Sequence, residues 1–449
     1  VTRLAIIVVV SLLAGAGLGA ALTKRMLPAP EPVALAPAPK TAPVAAYTPV
    51  AVTDLPGWTQ DSAAQALPAL RRSCAKIAGM PAENVLGRDL IARPARVWQE
   101  ACRVLETITD GDAAVRDALT THFTAYRVGV MQPGAPSDSP ERVQDRGTFT
   151  GYYEADLKGS PERGGSYQVP IYTVPRNLVT VNLKDFLPSS AQLPPGVPTT
   201  LVGRVQPRPG QRETGQRETG QIDVAGGQMK PYYTRAEIDA SGAIAEAADV
   251  LMWADDPVAV HILHIQGSGR VTLPDGQIVR IGFAGHNGHS FRGIGSILLE
   301  AGAVKPGGAS MVAVREWLAE HPAEAADYMN KNARYIFFRR LDAAEAVDGP
   351  LGAQGASLTP LRSMAVDPQF IPLGAPVWLD TADPDNVPLQ RLMVAQDVGA
   401  AITGAVRGDI FWGHGEEAFQ KAGRMKSAGG YFVFIPNAPA PASADTKAP

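Results

Sequence analysis

Read from its N-terminus, the chain changes hydrophobic texture several times. After a single Arg3, apolar residues run almost unbroken from Leu4 to Leu22. That run is long for the core of an export signal and just long enough to cross a bilayer, so residues 1–22 read as either a signal peptide or a membrane anchor. Residues 23–53 are rich in Pro and Ala ("PAPEPVALAPAPKTAPVAAYTPVAV") and predict an extended, unpacked linker; the tail at 437–449, "NAPAPASADTKAP", predicts a disordered end of the same kind. Between residues 60 and 130, "DSAAQALPALRRSCAKIAGM" and "RVWQEACRVLETI" space their apolar residues by three and four, which predicts helices. From Gly147 the pattern shifts to alternation and β-branched residues in "GTFTGYYEADL", "YQVPIYTVP", "PYYTRAEI" and "VHILHIQGSGRVTLPDGQIVRIGFAG", which predicts short strands and turns. Helix returns at "SMVAVREWLAEHP" and "EAADYMNKN", and strands close the chain at "YIFFRR", "SMAVD", "APVWLD", "RLMVAQD", "GDIFWG" and "GYFVFIP". Helical flanks around a β block suggest one domain inserted into another. "QRETGQRETG" (Gln211–Gly220) is a five-residue unit written twice, too short for a repeat architecture, and reads as a loop duplication.

Composition narrows this picture. With 449 residues, 45% of them hydrophobic, the chain can bury a sizeable core and holds two or three domains. A net charge of −3 gives no general reason to bind nucleic acid, while 45 glycines and 39 prolines suit turn-rich β domains. Cys74 and Cys102 are the only cysteines, a pair expected to form one disulfide in an exported chain; two buried free thiols are the alternative. Small residues at Gly19–Ala21 suit signal peptidase, but no cysteine follows them, so the sequence does not read as a lipoprotein.

Three aspartates fall in the last strands: Asp367 in "AVDPQFIPLG", Asp397 in "AQDVG" and Asp409 in "RGDIFWG". Glycosidic cleavage needs a carboxylic acid whose proton is retained by burial or a nearby charge. Strand-end carboxylates beside Phe411 and Trp412, among Gly399, Ala400, Ala401, Gly404 and Gly408, meet that description. From spacing alone the signal is weak, because aspartates at strand ends more often cap turns. A metal centre finds less support. His261 and His264, three apart on an expected strand, would point to opposite faces, and His286 and His289 lack a third ligand, so no metal is expected. "QGSG" and "RGIGSILL" are not complete nucleotide loops, and no cofactor is expected.

Several motifs, taken in order, resemble one family. "PLRSMAVDPQFIPLGAPVWLD" and "RLMVAQDVGAAITGAVRGDIFWGHGEEAFQKAG" are similar to the 3D domain. "FTGYYEA", "MKPYYTR", "IQGSGRVTLPDG", "GFAGHNGHSFRGIG" and "LTPLRSMAVD" resemble the membrane-bound lytic murein transglycosylase A (MltA) family. The resemblance covers about Gly147 to Pro436. It implies a mainly β fold with flanking helices: a double-psi β-barrel over 54–153 and 291–436, a second β domain inserted over 154–290, and a glycan groove between them. It also implies a peptidoglycan lytic exotransglycosylase, a lyase that cleaves the MurNAc–GlcNAc β-1,4 bond without water and leaves 1,6-anhydro-MurNAc ends. The residues themselves leave the choice between strand ends and strand interiors open. In this comparison Asp409 falls on the acid/base and Asp397 on its neighbour, while Asp367 holds a turn. Thr150, Gly151, Tyr152, Tyr153, Gln266, Gly267, Ser268, Gly269 and Trp412 are expected along the groove; tight turns and core tyrosines are the plain alternative for these positions. The implied partner is a peptidoglycan glycan strand met in the periplasm of a Gram-negative bacterium, by a monomer acting alone or with cell-wall synthesis proteins. A conventional glycosidase using an aspartate pair and a non-catalytic peptidoglycan-binding module are the competing readings.

Overall fold

The computed structural model describes residues 44–109, 111–132, 143–187, 199–206, 228–342 and 349–437. The apolar segment 1–22, the QRETG duplication, all but residue 437 of the expected tail and the linker up to residue 43 lie outside them. The end of the expected linker is not loose: Ala45–Val50 is a strand (β1) paired antiparallel with β2, Phe123–Met131. Tyr47 carries the correction, since its ring is buried and its hydroxyl donates to the Phe370 carbonyl at 2.8 Å. Among the described residues, no helix is long and apolar enough to cross a membrane.

The expected helices are present at Leu67–Ala78 (α1) and Ala95–Thr107 (α2), where Cys74 and Cys102 form a disulfide. Their buried faces pack on a large core that includes Trp378, Leu392, Val394 and Phe434. Trp58, ahead of α1, meets Trp378 edge-on at 5.0 Å, and Arg362 grips Asp61 with two buried contacts of 2.7 and 2.8 Å. The N-terminal segment is thereby fastened to the sheet.

The sheet is built around β3, Gly147–Ser160, which has 14 residues. Further on come β4 (Ser268–Thr272), β5 (Ile278–His286), β6 (Ile336–Arg340), β7 (Ser363–Val366), β8 (Pro376–Ala382), β9 (Pro388–Asp397), β10 (Arg407–His414) and β11 (Lys426–Pro436). Pairing runs β3–β10–β7–β9–β8–β11 and returns from β11 to β3, a closed ring of six strands. The far half of β3 continues instead into β4, β5 and β6. One strand therefore serves both groups. β6 and its partner β5 stand together in the second group, although residue 291 onward is expected with the first.

The expected strand at "HILHI" is a helix, α3, Pro257–Gln266. Val, Ile and Leu surround it, so no helical period is visible, but its ends are well marked. Asp256 caps the first turn by accepting from the Val258 N–H at 2.8 Å, Pro257 opens the helix, and Gly267 closes it at φ +80°. His261 and His264 lie inside it, both buried.

Candidate active site

The two aspartates meet through one small residue. In the register of the ring, Ala365 on β7 pairs with Asp397 on β9 on one side and with Asp409 on β10 on the other. With strands about 4.8 Å apart, the two aspartate backbones stand roughly 10 Å from each other across the sheet. Alternation sends Gly408 and Ile410 toward Met364 and Phe149 in the ring's core, and leaves Asp409 and Phe411 on the other face. There Tyr152, Leu358, Ala365, Ile402 and Phe411 form a small apolar floor under the carboxyl groups, which are half-buried.

The surroundings of the two carboxyls differ. Asp397 accepts from the Tyr152 hydroxyl at 3.0 Å and from the backbone N–H groups of Ala353 and Val398 at 2.9 Å each. Burial nevertheless pushes it up to about 6, with the Asp409 charge adding to that effect against the three hydrogen bonds. Asp409 accepts one hydrogen bond, from Thr150 Oγ1 to its Oδ1 at 2.5 Å. Its pKa is raised by burial, opposed by the Thr150 bond and by the Arg407 cation. Burial is the leading cause for both carboxyls. The carboxylate of Asp367 is taken up by backbone donors, holding Gln369 N at 2.9 Å and Gly404 N at 2.7 Å. It fixes the loop that joins β9 to β10.

Of the expected groove residues, Thr150 and Tyr152 share the face of the aspartates. Gly151, Tyr153 and Trp412 alternate to the opposite face. A Cβ at Gly151 would come within 2.6 Å of Trp412 Nε1 and 2.8 Å of Ala422 Cα, so this glycine admits the helix α4 (Gly415–Arg424) rather than a sugar. Tyr153 is buried against Phe419 of that helix, 5.4 Å between rings. Gln266 spends its side-chain oxygen on the Tyr153 N–H at 3.0 Å, Ser268 is buried, and a Cβ at Gly269 would strike Leu263 and the Ala155 carbonyl. Gln266–Gly269 therefore tie α3 and β4 to β3. Arg407 is the neighbour that sequence reading missed. It sits two residues before Asp409 on the same strand face, a period-2 relation visible in "RGD" but passed over.

Three of the four candidate histidines are occupied elsewhere. His286 Nδ1 accepts from Gly288 N at 2.9 Å, and His289 Nε2 lies 2.8 Å from the Tyr232 carbonyl. His264 Nδ1 meets the buried Arg235 at 2.9 Å. Among the described residues no group of three His, Cys, Asp or Glu side chains could hold a metal ion.

Comparison with known proteins points in one direction. Residues 148–339 match the model of the MltA specific insert domain and residues 362–434 that of the 3D domain. The chain is 30% identical over 296 residues to membrane-bound lytic murein transglycosylase A of Escherichia coli strain K12, a match spanning 64% of each chain and so less than two thirds of that relative. The crystal structure of MltA from Neisseria gonorrhoeae is 31% identical, covers 92% of this chain and 99% of its own, and superposes with a TM-score of 0.67. A membrane-bound lytic murein transglycosylase from Agrobacterium tumefaciens is 28% identical, with 87% and 97% covered and a TM-score of 0.69.

Proposed function

Since the chain belongs to the MltA family, we propose that it is a lytic transglycosylase acting on the β-1,4 bond between MurNAc and GlcNAc in peptidoglycan. Asp409 is the single acid/base. It starts protonated, gives its proton to the departing GlcNAc oxygen, and then takes a proton from the C6 hydroxyl of MurNAc as that oxygen closes on C1. The product is a 1,6-anhydro-MurNAc end, and no water is consumed. Asp397 acts as the fixed anion that stabilises the positive charge developing at C1. The enzyme works at the cell wall on the periplasmic side, and the six-strand ring is read as a double-psi barrel.

One observation carries this reading: two carboxyls on one face with unequal partners. Asp397 already accepts three hydrogen bonds, which suits an anion held in place, whereas Asp409 accepts one and keeps an oxygen for the substrate. Divergent surroundings of this kind separate acid from anion in a carboxylate pair. A conventional glycosidase would need the second carboxylate to activate water or attack carbon. The three hydrogen bonds already held by Asp397 argue against both roles.

Digestion of purified peptidoglycan followed by mass spectrometry tests the proposal. Wild-type protein is expected to release muropeptides one water lighter than their hydrolytic counterparts. Asp409→Asn is expected to lower turnover by about a thousandfold or more while still retaining glycan. Free reducing ends as the main product, or near-normal turnover by that variant, would overturn it.

A further inference from the structure

Thr150 has one hydroxyl hydrogen and two neighbours that compete to define it. Arg407 Nη2 lies 2.9 Å from Thr150 Oγ1, and Thr150 Oγ1 lies 2.5 Å from Asp409 Oδ1. A guanidinium carries only donors and stays charged in proteins, so it must donate to the hydroxyl oxygen. Arg407 is itself held in place by donating to the carbonyls of Thr148 at 3.1 Å and of Gly408. The Thr150 hydrogen is then left for Asp409 Oδ1. If the hydroxyl turned so that Asp409 donated to it, its hydrogen would point at a side chain with no acceptor. Oδ1 is therefore an acceptor in both protonation states of Asp409. Among the described residues, Oδ2 has no protein partner.

We propose that Arg407 is a positioning residue which, acting through Thr150, places the acid proton of Asp409 on Oδ2, the oxygen left open to the leaving group. This rests on Asp409 being the acid and adds a residue that the reaction scheme above does not use. Without Arg407 the Thr150 hydroxyl is free to rotate, and the proton divides between the two oxygens. Binding is untouched, so the loss falls on kcat and not on KM.

A double-mutant cycle decides the matter. Arg407→Met and Thr150→Val are each expected to lower kcat on purified glycan strands by about tenfold to a hundredfold, the range of one charge-assisted hydrogen bond, with KM unchanged. The double variant is expected to be no slower than the worse single variant, because both break one relay. Arg407→Lys and Thr150→Ser, which keep a donor and a hydroxyl, should recover most of the rate. In Arg407→Met the alkaline limb of the pH profile should also move upward, since the cation that lowers the Asp409 pKa is gone. Losses that multiply in the double variant, or a change confined to KM, would overturn the proposal. Should Arg407→Met fail to fold, the Thr150 pair decides alone, and equal kcat in Thr150→Val and Thr150→Ser sinks it. An active Asp409→Asn would instead sink the functional reading, so the two failures are distinguishable.

Discussion

At the scale of the residue, the informative contrast lies between two aspartates that a sequence writes identically. Both are partly enclosed, yet only Asp397 is surrounded by donors. Its folded-state value of about 6 stands above the usual 3.9 of an aspartate, so the folded protein binds its proton more tightly than the unfolded chain does. Stability from this group is whole below pH 4 and is lost as pH rises through 6, a loss on the order of 2–3 kcal/mol. Asp397→Asn is therefore expected to melt higher than wild type at pH 8, with the gap closing toward pH 4, while losing activity. Calorimetry at the two pH values checks this, and equal melting at pH 8 would contradict it. For catalysis the two carboxyls are expected to titrate as a pair and give a bell-shaped profile whose limbs belong to the pair and not to either residue alone. Asp397 and Asp409 were legible in sequence because a motif pointed at them. The difference between their surroundings was not, because it depends on Ala353, Val398, Tyr152 and Thr150, which reach the carboxyls only once the strands are in register.

At the scale of the element, end signals proved stronger than interior texture. Residues 257–266 read as strand from their Val, Ile and Leu content, while Asp256, Pro257 and Gly267 wrote a helix around them. That helix buries His261 with neither ring nitrogen hydrogen-bonded, and burial holds His261 and His264 well below the usual histidine value, with the Arg235 cation adding to it. Here the unfolded chain binds the extra proton. Stability is full above pH 6.5 and falls as pH drops below it. His261→Leu should therefore resist urea better than wild type at pH 5, and the difference should shrink by pH 8; a pH-independent difference would argue against burial of a neutral ring. The α1–α2 pair was legible in full, cysteines included. Its disulfide closes 28 residues, and loop-closure entropy assigns it about 3–4 kcal/mol. Urea unfolding with and without reductant measures that contribution. The alternation that sends Gly151, Tyr153 and Trp412 behind the strand was also present in the sequence, but a motif was read as one surface when a strand divides it into two.

At the scale of the molecule, the ring is held shut from outside by the N-terminal segment. Arg362 immediately precedes β7, the strand bearing Ala365, and its guanidinium is buried on Asp61, on the Leu392 carbonyl at 3.0 Å and on Ser62 O at 3.0 Å. Removing one partner leaves a buried charge alone. Asp61→Ala is expected to cost about 3–5 kcal/mol of folding stability, read from the denaturation midpoint, whereas an effect below 1 kcal/mol would mean that the pair is replaceable by solvent. Nothing in local sequence pattern joins residues 301 positions apart, which is why this tie was invisible before the fold was known.

The dual membership of β3 bears on how the protein could respond to a load. Its first residues stand beside Asp409 and its last beside Arg270 and Trp253, with no hinge loop between. A pull on one group of strands is passed along a continuous backbone to the other, and can separate them only by flexing that backbone. A ligand held across the two groups of strands should therefore meet a preset clamp, with side chains adjusting locally, and not two jaws that swing closed.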